Sequence, residues 1–449
     1  MMRDPAFQQL PRPAPTPLVG RRVLVLGLGD TGLSVARWAA REGAKVRVAD
    51  SRRDPPRSKD FAGELHTGPF SPGLLDDVDV VCVSPGLSLE LPLMRQAVTQ
   101  KIPVLGDIEL FAWHNKAPLL AVTGTNGKST VTALAGHLLK SVGLDAEVAG
   151  NIGPPVLQAF EERLGSGKLP QAWVLELSSY QLETTWSLAP AAAAMLNLTE
   201  DHFDRYASLD EYGAAKARIF IGAGVQVLNR DDPRSLAMAH PGSELITFGL
   251  DAPRSDTDFG VAAGKLVHGR KPLIAVDELA LRGSHNVANA LAACALVSPL
   301  GLDAYRGLKT FNGLPHRLQL VATRRGVEWY DDSKGTNVGA TVAALRGLGR
   351  KAVLILGGDG KGQDFSPLKE PVGRHASRVL LIGRDAPLIA KVVSGENCGS
   401  LEEAVQRAAE VAKPGEAVLL SPACASFDMF RDYRHRGEVF AAAVNRLGP

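Results

Sequence analysis

The sequence predicts an α/β protein of three domains, each built from alternating strands and helices around a mostly parallel sheet. Three observations predict it. At 449 residues the chain is too long for one hydrophobic core. Short apolar runs of strand length recur along it, followed by longer runs with apolar residues at helical spacing. Several of the strand-like runs end in glycine- or serine-rich turns, as strands do in open α/β sheets that bind ligands at their carboxyl ends. Apolar content of 45%, charged content of 22% and a net charge of +2 are ordinary for a globular chain, and they give no global field for nucleic acid or an anionic membrane. No apolar run is long enough to span a bilayer. Cys82, Cys294, Cys398 and Cys424 lack C-x-x-C spacing, which fits buried thiols in a reducing compartment better than disulfides or zinc.

Residues 1–20 are proline-rich without an apolar leader core, so they are expected to form a flexible arm and not a signal peptide. Residues 21–106 read as the first domain. Val23–Leu26 is a strand that runs into Gly27-Leu28-Gly29-Asp30-Thr31-Gly32, with a helix to about Glu42 and a second strand, Lys45 to Ala49, ending in Asp50. This G-x-G-x-x-G in a strand–turn–helix setting predicts a Rossmann-like domain with phosphate on the helix N-terminus, and it leaves the nucleotide open. A further strand, Val78–Val83, ends in Ser84-Pro85-Gly86.

Residues 107–313 read as a central P-loop ATPase-like domain. The apolar strand Leu119–Val122 passes through Thr123 into Gly124-Thr125-Asn126-Gly127-Lys128-Ser129-Thr130 and then a helical run, Val131–Lys140. Loop N–H groups and the helix dipole cradle phosphate, Lys128 adds a point charge, and the hydroxyl of Ser129 stands where such loops place a Mg²⁺ ligand. Val122 replaces the first glycine of G-x-x-x-x-G-K-[ST], so the loop is a shortened variant, and a plain strand–turn–helix connection is the bland alternative. Trp173–Leu177 is a buried strand carrying Glu176, which requires a compensating cation, either a metal ion or a structural partner. The strand Ala191–Leu196 ends in Asn197-Leu198-Thr199-Glu200-Asp201-His202-Phe203-Asp204-Arg205, a run dense in ionisable groups. Leu209–Phe220 reads as a helix in which Lys216, set among alanines, is expected on spacing alone to be exposed. Gly283-Ser284-His285-Asn286 is expected to cap an apolar helix, Val287–Leu296.

Residues 314–449 read as a second Rossmann-like domain. They open with Leu314-Pro315-His316-Arg317. The strand Gly326–Tyr330 leads to Asp331-Asp332-Ser333-Lys334-Gly335-Thr336-Asn337. Lys351–Leu356 leads to Gly357-Gly358-Asp359-Gly360-Lys361, and Val418–Leu420 leads to Ser421-Pro422-Ala423-Cys424-Ala425-Ser426-Phe427-Asp428. In a doubly wound sheet these turns share one edge, and they are expected to wall a cleft facing the phosphate loop.

Taken together, Gly124-Thr-Asn-Gly-Lys-Ser-Thr, Glu176-Leu-Ser-Ser-Tyr-Gln-Leu-Glu, Asp201-His-Phe-Asp-Arg-Tyr, Pro315-His-Arg, Asp332-Ser-Lys and Gly357-Gly-Asp-Gly-Lys resemble the Mur ligases, ATP-dependent amino-acid-adding enzymes of bacterial peptidoglycan synthesis. The resemblance runs from residue 21 to the end. Ser84-Pro-Gly, Asn197-Leu-Thr-Glu-Asp-His and Ser421-Pro-Ala-Cys-Ala-Ser-Phe-Asp are most similar to the branch that adds D-glutamate to UDP-N-acetylmuramoyl-L-alanine. The resemblance implies an amide ligase working through an acyl phosphate, in cell-wall biogenesis and hence cell shape and division. It further implies ATP, two Mg²⁺ sites and a CO₂-derived carbamate on Lys216, in a cytoplasmic monomer with small-molecule substrates and no nucleic-acid partner.

Residue by residue, it places Lys128 on the ATP phosphates, Ser129 and Glu176 on one Mg²⁺, and His202 on a second, with Lys216 as a carbamate beside the metal. Gly124, Thr125, Asn126, Gly127, Thr130, Asn286, His316, Arg317 and Asp332 fall to ATP. Asp30, Thr31, Ser51, Arg52, Gly86, Asn151 and His202 fall to the UDP-sugar, and Lys334, Thr336, Lys361, Ser426, Phe427 and Tyr433 to the acceptor amino acid. Asp30 stands where an apolar residue is expected near uracil, and Tyr433 where phenylalanine is expected. The rival readings are a sibling ligase, including a folylpolyglutamate synthase type, a nicotinamide-dependent oxidoreductase on residues 21–106, and a nucleotide-binding regulator without turnover.

Overall fold

Alternation of buried strands with amphipathic helices gives three sheets in the computed structural model, which describes residues 5–281 and 283–448. The first sheet holds β1 (Arg22–Leu26), β2 (Lys45–Asp50), β3 (Glu64–Thr67), β4 (Val80–Val83) and β5 (Val104–Leu105), all parallel, in the order β3-β2-β1-β4-β5. β1 and β4 are apolar on both faces because helices cover both sides, as parallel sheets require.

The second sheet holds β6 (Leu119–Thr123), β7 (Ala146–Gly150), β8 (Ala172–Glu176), β9 (Ala192–Met195), β10 (Val225–Asn229), β11 (Glu244–Phe248), β12 (Phe259–Ala262), β13 (Lys265–His268) and β14 (Lys271–Ala275). Its order is β14-β13-β12-β11-β10-β9-β6-β8-β7, parallel except for antiparallel pairs at β12–β13 and β13–β14. The chain order reverses beside β6, so the loop after β6 opens at a topological switch point, where α/β sheets bind ligands. The third sheet holds β15 (Gln319–Arg324), β16 (Val327–Asp331), β17 (Ala352–Gly357), β18 (Ala376–Ile382), β19 (Glu396–Asn397) and β20 (Ala417–Leu420), in the order β15-β16-β20-β17-β18-β19. Only β15 runs antiparallel to its neighbour.

Three expectations need correction. The stretch from residue 5 to 20 is packed and not a loose arm. Phe7, Leu10 and Leu18 are buried in the first core, and the Arg218 guanidinium lies 5.7 Å from the Phe7 ring centroid. Composition hid this, since three apolar anchors hold a proline-rich segment in place; the arm expected over residues 1–4 lies outside the described residues. The helix after residue 208 is α-helical over Leu209–Ala217 and closes with a tighter turn, Arg218–Phe220. The helix expected at Val287 begins at Ser284, with Gly283 at φ +96° in the cap position and no side-chain cap. Asn286 therefore sits inside the first turn. The four cysteines are free and buried, as expected, and among the described residues no helix is long and apolar enough to cross a membrane.

The first and second sheets share a core. Trp38, from the helix Asp30–Arg41, packs edge-on against His114 and tilted on Phe160, and Phe111, Phe160 and Trp173 complete the aromatic cluster between the two sheets. At this junction the helix Asp107–His114 starts with Asp107, which is 1% exposed and whose carboxyl oxygens meet no donor at hydrogen-bond geometry. Burial pushes this carboxyl up to about 6. A carboxyl raised above its unfolded value contributes its full stability below that value and loses it as pH rises through the folded pKa. Asp107→Asn is therefore expected to be more stable than the parent above roughly pH 7, by about 1–3 kcal/mol, with the gap closing below roughly pH 4. Thermal unfolding across that range reads it, and a pH-independent gap would contradict it.

Candidate active site

The phosphate loop forms because β6 is buried on both faces and must turn at Gly124 into the helix Lys128–Ser141. Gly127, at φ +85°, is required there: a Cβ would come within 2.6 Å of Asn289 Oδ1. The loop is fastened to the segment after β9. Thr125 N–H donates to Asn197 O (2.9 Å), Asn126 N–H to Asn197 Oδ1 (2.8 Å), and Thr199 N–H to Thr125 Oγ1 (3.0 Å). Lys128 Nζ donates to the carbonyls of Gly124 and Thr125, both at 2.9 Å, and burial lowers its pKa.

Lys216 is not exposed. It is 1% accessible and lies behind the loop, its amine donating to Gly124 O at 2.9 Å and standing 4.5 Å from the Tyr212 ring centroid. Two lysines thus share one carbonyl. Burial first, and the Lys128 charge second, hold the Lys216 amine well below the usual lysine range.

Glu176 ends β8, where its charge is compensated by lysines. Burial opposes its ionisation, but Lys128 and Lys334 outweigh that and lower its pKa. One oxygen accepts from Asn151 Nδ2 at 2.6 Å, and the other is buried without a hydrogen-bond donor. Ser129 Oγ accepts from Arg317 Nη2 (2.7 Å) and Lys334 Nζ (3.2 Å), so the third domain reaches directly onto the phosphate loop. The orphaned Glu176 oxygen and the Ser129 hydroxyl are hard donors that fit Mg²⁺. Among the described residues no group of three or more His, Cys, Asp or Glu could hold a metal, so phosphate and water oxygens would complete such a site.

His202, at φ +58°, shares a hydrogen bond with Tyr180 Oη through Nδ1 (2.8 Å). Burial brings it down to about 4, so it is neutral at neutral pH. Asp201 beside it stays ionised despite burial because Lys361 lies against it: Lys361 Nζ donates to Oδ1 (3.1 Å) and Asn337 Nδ2 to Oδ2 (3.1 Å). Asn337 also reaches Asn126 Oδ1 (3.2 Å), a second tie between the third domain and the loop.

These contacts enclose a cavity of about 470 Å³. It gathers Thr125, Asn126, Gly127, Lys128, Asn151, Glu176 and His202 from the central domain. Arg317, Lys334, Thr336, Lys361, Ser426, Phe427 and Tyr433 come from the third, with Phe427 74% exposed at the mouth. A neighbouring cavity of about 280 Å³ is lined by Asn126, Gly127, Thr130, Asn286, Arg317 and Asp332, together with Phe248, Leu250 and Asn289. Burial pushes Asp332 up to about 7, where it accepts from Ser421 Oγ at 2.7 Å.

Not every expected residue faces these cavities. His316 lies off both; its Nδ1 meets Asp331 Oδ2 at 2.7 Å, and its ring packs edge-on near Tyr433. Asp30, Thr31, Ser51, Arg52 and Gly86 stand apart, near the carboxyl edge of the first sheet. Asp30 is turned to Arg57 Nε (2.6 Å), which satisfies its charge away from the turn. Asp50 accepts from Leu28 N–H (2.7 Å) and from Arg52, with its pKa brought down to about 2. Its oxygens are thus spent inside the protein, against the ribose contact a dinucleotide fingerprint would need.

Three participants were missed by sequence reasoning: Asn337, which ties the domains; Tyr180, which holds His202; and Arg436, buried beneath the serine-rich turn. The clustered polar turn Asp332–Asn337 pointed to the first. Tyr180 lies within the Glu176-Leu-Ser-Ser-Tyr-Gln-Leu-Glu motif, where no role was given to it, and nothing in the local pattern marks Arg436.

Family models match three stretches of the chain: "Mur ligase MurD-like, N-terminal domain" over residues 21–106, "Mur ligase middle domain" over 122–297 and "Mur ligase, glutamate ligase domain" over 316–424. A protein of Thiobacillus denitrificans named UDP-N-acetylmuramoylalanine--D-glutamate ligase is 55% identical over 460 residues, covering 96% of this chain and 97% of the relative. One of the same name from Nitrosospira multiformis is 52% identical over 457 residues, covering 96% of each. Among solved structures, the UDP-N-acetylmuramate-alanine ligase of Thermotoga maritima superposes with a TM-score of 0.58 at 20% identity, covering 94% of this chain and 99% of that one, a likeness of fold.

Proposed function

This chain belongs to the Mur ligase family, and from that premise we propose that it joins D-glutamate to UDP-N-acetylmuramoyl-L-alanine with ATP, releasing ADP and phosphate. The observation that carries the reading is the single cavity in which the phosphate loop faces Lys334, Lys361 and Ser426 of the third domain. Cations and a hydroxyl opposite a phosphate cradle suit a dicarboxylate acceptor beside a phosphoryl-transfer centre. Residues 21–106 are assigned to the UDP-sugar, 107–313 to ATP and 314–449 to the acceptor amino acid.

A carboxylate is a poor electrophile, so it is activated first. Its oxygen attacks the γ-phosphorus, the bond to ADP breaks, and an acyl phosphate forms. The acceptor amine then attacks the carbonyl carbon, loses a proton, and phosphate leaves as the amide closes. Lys128 holds the phosphoryl oxygens during the first transfer, and Lys334 and Lys361 hold acceptor carboxylates in the second. Glu176 and Ser129 would hold Mg²⁺, with His202 at a second site; the bound metal neutralises phosphate charge. The depressed Lys216 amine is free to add CO₂, forming an N–C bond and releasing a proton, which gives a carbamate anion beside Lys128. In this reading the protein works as a cytoplasmic monomer in peptidoglycan synthesis.

Phosphate release with UDP-N-acetylmuramoyl-L-alanine, ATP, Mg²⁺ and bicarbonate, offered D-glutamate, L-glutamate, glycine, L-alanine or diaminopimelate, tests the reading. Release with D-glutamate alone is expected. Release with another acceptor would make the chain a sibling ligase, and silence in every well would end the ligase reading.

A further inference from the structure

Arg436 closes the first turn of the helix Tyr433–Arg446 with no exposed surface, and its hydrogen bonds go to neutral oxygens instead of a carboxylate. Nε donates to Ser333 Oγ (3.0 Å) and Nη2 to Ser333 O (2.7 Å). Nη1 donates to Cys424 O (3.1 Å) and Ala425 O (3.3 Å). Ser333 Oγ in turn donates to Tyr433 O at 2.7 Å, closing the chain back onto the start of the same helix. Asp428, Asp331 and Asp332 act on the guanidinium only from a distance, and burying it without a carboxylate in direct contact is costly, whereas an apolar side chain would fill the same space more cheaply. The geometry therefore has to repay it.

What it joins are two turns that leave different strands. Ser333 sits between Asp332 and Lys334 in the turn after β16, and Cys424–Ala425 immediately precede Ser426 in the turn after β20. Each turn carries one part of the acceptor wall. Resting on the assignment of that wall to the acceptor amino acid, we propose that Arg436 is a positioning residue that sets the distance between Lys334 and Ser426, and so fixes the size of dicarboxylate the site accepts. Only a planar fork with donors on three nitrogens reaches both turns at once; a lysine ammonium, a point donor, can serve one of them. Arg436 itself need not touch substrate.

The test compares Arg436→Lys and Arg436→Ala with the parent. For Arg436→Lys, the KM for D-glutamate is expected to rise about tenfold or more and the KM for ATP by several-fold less, because the turn after β16 carries Asp332 into the second cavity as well as Lys334 into the first, whereas Ser426 lines the first alone. Hydrogen exchange is expected to quicken over residues 332–336 and 423–428 and to remain unchanged over 123–130. N-ethylguanidine is expected to restore part of the Arg436→Ala activity, and ethylammonium none. A parallel rise of both KM values, or no change in either, would overturn the proposal, as would unchanged exchange in the two turns. If the alanine variant fails to fold, the lysine variant alone decides. A parent silent with every amino acid would count against the ligase reading, and the exchange result would still decide the positioning role.

Discussion

Exchange of Lys128 for methionine is expected to lower kcat for amide formation by about 10²–10³, some 3–4 kcal/mol of transition-state stabilisation. Lys128 is half-buried, and its hydrogen bonds in this structure go to the Gly124 and Thr125 carbonyls. Neutral partners leave its charge available to a phosphoryl group that arrives in the cradle. Methionine keeps the length and apolar volume of the stem, so the fold should persist, and a thermal midpoint within a few degrees of the parent would confirm that. Because charge builds on the phosphoryl oxygens during transfer, the loss should appear mainly in kcat, with a smaller rise in the KM for ATP. A kcat within about tenfold of the parent would remove Lys128 from the centre of the reaction.

The second large effect is expected at Lys216. Its replacement by alanine should lower kcat by a comparable factor of about 10²–10³. It should also open a small space behind the loop, beside Lys128. If the working group is a carbamate, formate or acetate should enter that space and restore part of the activity, whereas methylammonium should not. The parent should lose activity when CO₂ and bicarbonate are stripped and recover it on their return. The structural basis is the amine's burial beside a second lysine, which lowers its pKa and favours the uncharged, nucleophilic form. Rescue by the amine alone, with indifference to CO₂, would mean that Lys216 acts only by holding the Gly124 carbonyl.

The contrast between these two lysines shows what a sequence can reveal. The setting of Lys128 was legible because it is local: an apolar strand, a glycine turn and a helix start lie within a dozen residues, and the structure has all three. Lys216 read as an exposed residue among alanines, and its burial behind Gly124 comes from a helix packing against a loop some ninety residues earlier in the chain, which periodicity cannot encode. The resemblance to a family supplied the role proposed for it, and the structure supplied its environment.

The same division runs through the fold. Strands apolar on both faces, such as β1, β6 and β17, were found almost to the residue. The strands from β10 to β14 were passed over: β11 to β14 mix buried and exposed positions with no regular period in runs of four or five residues, and β10, though buried over Val225–Leu228, is equally short. The prolines of the first twenty residues masked Phe7, Leu10 and Leu18, whose value lies in the core they join. In the site, the polar turns Asp332–Asn337 and Ser421–Asp428 announced a cleft. The Asp201–Lys361 pair, which ties the third domain to the central one, is tertiary and had no signal beyond a cluster of charges.

The central claim is that phosphate leaves through an acyl phosphate formed on the substrate's own carboxylate. The most direct measurement uses UDP-N-acetylmuramoyl-L-alanine labelled with ¹⁸O in its alanine carboxylate, with D-glutamate and unlabelled ATP. Activation by phosphorylation transfers one carboxylate oxygen to phosphorus, so the released phosphate is expected to carry about one labelled oxygen per molecule, matched to the amide formed. Phosphate free of label, or carrying oxygen from water alone, would contradict the account.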